Sequence, residues 1–130
     1  MKRRALLALC ASVPLGGCLA LDDPPRKRIA WIRLVNERTE PFDITVLVER
    51  DGEEVSAESY RLGTGDGATV RSDAPVDGPG RYTVRFRADD QWIHVDPSEY
   101  AGVAAPCIGV CFELHEQGTL GYEVTPGQDC

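Results

Sequence analysis

Methionine, lysine and histidine are scarce in this chain, and it holds one, two and two of them. Each scarcity excludes something. With Met1 as the only methionine, a copper site with a thioether ligand cannot be built downstream of the N-terminus. Lysine occurs only at positions 2 and 27, while Asp and Glu total 21 against 14 basic residues. A surface of that sign repels nucleic acid, so DNA and RNA are excluded as partners. Long apolar runs are also missing: the longest, Ala5 to Leu21, is interrupted by Pro14 and Gly16-Gly17. That leaves it short and broken for a spanning helix. No stretch shows a convincing helical period, which removes bundles and α/β folds.

What the N-terminus does contain is an address. Met1-Lys2-Arg3-Arg4 is a positive segment, and Ala5 to Pro14 is a short apolar one. Leu15-Gly16-Gly17-Cys18 then resembles a lipobox, in which a signal peptidase cuts before the cysteine and a lipid is attached to its thiol. By that resemblance residues 1–17 are a signal peptide, Cys18 carries the lipid, 18–28 are a tether and 29–130 form the working domain. Its location is then extracytoplasmic, on the cell membrane. The alternative is an uncleaved N-terminal anchor. Arg3-Arg4-Ala5-Leu6-Leu7 also looks like a twin-arginine core, and the export route stays open between that and the general one.

Without Lys2, Arg3 and Arg4 the balance is eleven basic residues against 21 acidic, near −10. Lys27 is then the only lysine beside ten arginines. This is the composition of a protein working in high salt, or of an ordinary acidic exported protein. Arg26-Lys27-Arg28 is the only basic cluster of the domain. It either lies against anionic headgroups or ends a strand with its charges paired to Asp22 and Asp23.

From there period two dominates. Ala30, Ile32 and Leu34 alternate with Trp31, Arg33 and Val35, a strand buried enough to sit centrally. Phe42 to Glu49 follows, and Asp51-Gly52 is the strongest hairpin signal. Return strands are expected over Val55–Leu62 and Ala68–Arg71. Tyr82, Val84, Phe86 and Ala88 point inward, and Asp89-Asp90 turns the chain into Gln91–Val95. Pro97 to Pro106 reads as a loop. Val110–Leu114 and Leu120–Val124 form a last hairpin tipped by Glu116-Gln117-Gly118. About eight short strands in one domain predict an antiparallel β-sandwich.

Asp77-Gly78-Pro79-Gly80-Arg81-Tyr82-Thr83-Val84 resembles the start of the F strand of immunoglobulin-like domains. That resemblance makes Tyr82 a corner tyrosine whose hydroxyl ties down nearby backbone, with Val84 in place of the second core cysteine. The antibody-type Cys…Trp…Cys core is absent. With the lipobox, the acidic lysine-poor composition and Cys130, the whole chain resembles small lipoproteins of halophilic archaea. Those carry an immunoglobulin-like or fibronectin-like sandwich, and no activity comes with the resemblance.

The chemistry-bearing residues are few. His94, Cys111, His115 and Gln117 follow the order of blue-copper ligands. However, Cys111 and His115 on one strand lie about 13 Å apart. No cofactor or metal is expected. No serine sits in a Gly-x-Ser-x-Gly elbow, and Cys107-x-x-x-Cys111 lacks redox-pair spacing, so no catalytic residue is assigned and the protein is not expected to be an enzyme. Arg81, Arg85 and Arg87 form a basic stripe on one strand face. They serve either as a docking face for a carboxylate-rich partner or as cross-strand partners for Asp43 and Glu49.

Exported thiols pair. With a three-residue turn at 116–118, Cys111 faces Glu123 and Cys107 faces Gly127, three residues from Cys130. The expected bridge is Cys107–Cys130, leaving Cys111 free or partnering another chain. The rival, Cys111–Cys130, requires the tail to double back. The function expected is a non-catalytic, membrane-anchored interaction domain for a protein or envelope component. The alternatives are an electron-transfer domain and an accessory subunit of a membrane complex.

Overall fold

A computed structural model describes residues 26–97, 105–127 and 130. It holds eight strands: β1 (Arg28–Asn36), β2 (Phe42–Arg50), β3 (Glu53–Leu62), β4 (Thr69–Asp73), β5 (Tyr82–Ala88), β6 (Gln91–Val95), β7 (Cys107–Leu114) and β8 (Leu120–Gly127). They form two four-stranded sheets, β4-β1-β7-β8 and β3-β2-β5-β6. The architecture is an all-β sandwich. Among the described residues no helix is long and apolar enough to cross a membrane.

The alternating pattern decides which side chains meet between the sheets. Ile44, Val46 and Val48 of β2 and Val84 and Phe86 of β5 are buried against Ile32 and Leu34 of β1 and Ile108, Val110 and Phe112 of β7. At the centre Phe86 stacks on Phe112 across the sheets, 4.6 Å between ring centroids. Hairpin chemistry is local: Asp51 and Gly52 both take positive φ, 52° and 86°, as the turn between β2 and β3 demands. Tyr82 is buried, and its hydroxyl donates to the carbonyl of Gly78 at 2.6 Å, pinning the chain where it enters β5.

Three features depart from the alternating expectation. The pairing is not wholly antiparallel, because β1 and β7 run parallel in the middle of their sheet. The crossover a parallel pair requires is supplied by the intervening strands of the other sheet. A bulge between Ile29 and Trp31 shifts the register of β1, so Ile29 rather than Ala30 is buried. Lys27 is also not part of an exposed basic cluster. Its backbone bridges to Gly80, and its buried ammonium donates to the carbonyl of Ala105. Of the three, only Arg26 and Arg28 are exposed. Asp22 and Asp23 lie outside the described residues, as does most of the expected 97–106 loop.

Candidate functional site: two outer faces

A sandwich buries one side of each sheet and offers the other to solvent. The outer face of β4-β1-β7-β8 is assembled by register. Trp31 lies beside Asp73 and Gly109, Arg33 beside Arg71 and Cys111, and Val35 beside Thr69 and Glu113. On β8, Thr125, Glu123 and Gly121 continue these rows.

The rows cover themselves. A β-carbon on Gly109 would fall 2.0 Å from the Trp31 ring, so the indole lies flat on bare backbone that only glycine provides. The Arg71 guanidinium caps that ring from above, 5.1 Å from its centroid. Arg33 donates from Nε to Cys111 Sγ at 3.4 Å, and this bond is the main cause of its pKa standing above the ordinary arginine value. Cys111 is thereby buried although its side chain points outward. The Cys111 thiol is free in the structure, and pairing with another chain would require this cover to open.

The tail of this sheet is closed covalently. Cys107 and Cys130 are joined by a disulfide, Cα atoms 6.0 Å apart. Cys107 faces Gly127 and Cys111 faces Glu123, the register set by the 116–118 turn. In that turn His115 N–H donates to Thr119 and Gly118 N–H to His115.

The outer face of β3-β2-β5-β6 carries the arginine stripe. Arg81 precedes β5 and is exposed; its backbone exchanges hydrogen bonds with Asp51. Arg85, opposite Leu47, reaches diagonally to Glu49 at 3.2 Å. Such a half-exposed pair contributes about 1 kcal/mol or less. Asp43 is engaged by Arg61, not by the stripe. Arg87 donates to the carbonyl of its own turn residue Asp89 and holds its guanidinium 5.5 Å from the centre of the Trp92 ring. The stripe therefore divides: Arg85 is paired across strands, and Arg87 is an arginine–tryptophan unit.

Trp92 lies directly opposite Arg87 on β6, an edge strand paired only to β5. It is 44 % exposed, the most exposed of the large apolar side chains among the described residues. Beside it an open groove is lined by Gln91, Trp92, Ile93, Gln117, Thr119 and Leu120. The arginines were expected from the sequence; Trp92 was not. The signal was the equal spacing of Arg87 and Trp92 from the Asp89-Asp90 turn, which places them side by side.

The four residues in blue-copper order are not gathered. His94 stands on β6 in one sheet, Cys111 is covered on β7 in the other, and His115 and Gln117 lie at the hairpin end. Cys18 lies outside the described residues.

No protein-family model and no curated protein matches this sequence. Among solved structures, a protein from Eubacterium rectale is similar, with a TM-score of 0.40 and 18% identity over 78% of this chain and 93% of that one. A proposed cell adhesion protein from Bacteroides ovatus ATCC 8483 gives a TM-score of 0.38 and 12% identity, covering 75% of this chain. This chain spans 44% of that protein's length.

Proposed function

We propose that the protein is an extracytoplasmic lipoprotein, anchored through Cys18, whose sandwich is a non-catalytic interaction module. It docks a carboxylate-bearing protein of the envelope on the β5–β6 face. The observation that carries this reading is Trp92, exposed on an edge strand with Arg87 held against its ring. Tryptophan and arginine are the side chains in which binding energy concentrates, because both bring large contact area and arginine forks onto carboxylates. Here the two are already ordered together, so docking costs little side-chain entropy. Arg85 is offset by Glu49, so the positive character of this face rests on Arg81, exposed just before β5, and on Arg87. On a domain so acidic they mark the place where a carboxylate is welcome.

The test is a photoreactive residue placed at position 92 in cells, with position 55 of β3 as the control. Val55 is exposed on the same sheet but stands away from the stripe. A discrete protein adduct is expected from position 92, lost when Arg85 and Arg87 are both changed to Glu. Equal adducts from 55 and 92, or an adduct indifferent to the charge reversal, would overturn the docking face. The anchor is read separately: Cys18→Ser should leave the membrane fraction or accumulate unprocessed.

A further inference from the structure

At the far end of the self-covered face three donors converge that are distant in sequence. Glu113 lies in β7, between Val35 of β1 and Gly121 of β8. Glu37 follows β1 directly, and its N–H donates to the carbonyl of Leu114 at 2.9 Å. His115 follows β7, its N–H tied to Thr119. One donor atom from each of Glu37, Glu113 and His115 lies within 4.8 Å of the others. His115 Nδ1 and Glu37 Oε2 are 3.0 Å apart.

A second observation shows that the imidazole has a built seat. A β-carbon on Gly121 would come 2.6 Å from His115 Nε2. The ring thus lies over bare backbone of β8, which turns Nδ1 toward the carboxylates. Asn36, buried just before Glu37, fixes the backbone there: its amide donates to the carbonyls of Glu40 and Gly63, and its Oδ1 accepts from Arg38 N–H. Three strands and two hydrogen-bonded turns position this trio.

We infer that Glu37, Glu113 and His115 form a zinc-binding site. One imidazole nitrogen and two carboxylates are the donor set of a borderline divalent ion; calcium and magnesium would take oxygen alone. At zinc distances of about 2.0–2.2 Å, tetrahedral donors stand about 3.3–3.6 Å apart. The two glutamates reach that spacing by small rotations about their side chains, Glu37 being exposed and Glu113 half-exposed. The ion replaces the direct contact between His115 Nδ1 and Glu37 Oε2 and joins the segment after β1 to the end of β7. Its fourth position holds water or a donor from outside the chain. The excluded copper set used Cys111 and His115 along one strand. This set draws instead on the lateral pairing of β1, β7 and β8.

The test is calorimetric titration of the full-length chain with zinc chloride, alongside thermal melts. One zinc per chain with micromolar affinity is expected, weakened at least tenfold by His115→Gln and by Glu37→Gln. Gly121→Ala should weaken it too, by unseating the ring, while His94→Gln and Cys111→Ser leave it unchanged. The melting temperature of Glu37→Gln without zinc should match wild type, separating lost ligation from lost folding. The inference is overturned if no zinc binds, if binding survives both His115→Gln and Glu37→Gln, or if it depends on His94 or Cys111.

Discussion

The chain has two tryptophans, and each is partnered by an arginine on an outer face. The pairs look alike chemically and differ in what lies beneath them. Trp31 stands on a central strand and rests on Gly109, with Arg71 above it. Its area is spent inside the molecule, as a lid over a sheet whose middle pair is parallel. Trp92 stands on an edge strand with Arg87 at its side, and nearly half of it meets solvent. The same residue pair thus makes a structural cover where the backbone beside it is bare, and stays open to solvent where the sheet ends, which is the face proposed for docking.

That contrast can be sharpened or broken by mutation. The largest effect belongs to the covered side. Cys130→Ser opens the disulfide that ties the tail to β7 and should lower stability by about 3 kcal/mol, read by denaturant unfolding. Trp31→Ala removes the lid and should cost about 2–3 kcal/mol in denaturant unfolding. Gly109→Ala forces the same ring off its seat and should cost about 1–3 kcal/mol. Equal tolerance of Trp31→Ala and Trp92→Ala would erase the distinction between the faces. On the open side, Trp92→Ala should change stability by no more than about 0.5 kcal/mol while abolishing docking.

A pH effect separates the sheets further. Tyr60 on β3 packs at the rim of the core, and its pKa is pushed up to about 12 by burial, then by its bond to Glu58 and that carboxylate's charge. Its folded value thus exceeds the ordinary tyrosine value near 10. The unfolded chain therefore loses this proton first, and stability should fall as pH rises from about 10 to about 12. Tyr60→Phe should flatten that fall in melts recorded across the range.

Much of the fold was legible because its signals are local. Period-two runs mark the strands, and Asp51-Gly52 marks a hairpin with positive φ at both positions. The 116–118 turn alone sets Cys107 opposite Gly127, which brings Cys130 within reach. Signals that depend on distant pairing were not legible. The parallel contact of β1 with β7 is separated by most of the chain, and nothing in either strand announces its direction. The bulge that puts Ile29 in Ala30's place, and the burial of Lys27 beneath Ala105, follow from tertiary packing overriding alternation. Glu37, Glu113 and His115 meet only once that parallel register exists. The arginine stripe was legible as a stripe, but its division was not: which arginine finds an acid depends on the diagonal across β2.

The most direct measurement is oxidative footprinting of the two tryptophans, in intact cells and in the purified full-length protein. Trp92 should be readily oxidised in the purified protein and protected in cells. Trp31 should react slowly and equally in both. Trp92 reacting equally in both settings, or Trp31 being the one protected in cells, would contradict the assignment of the β5–β6 face as the docking surface.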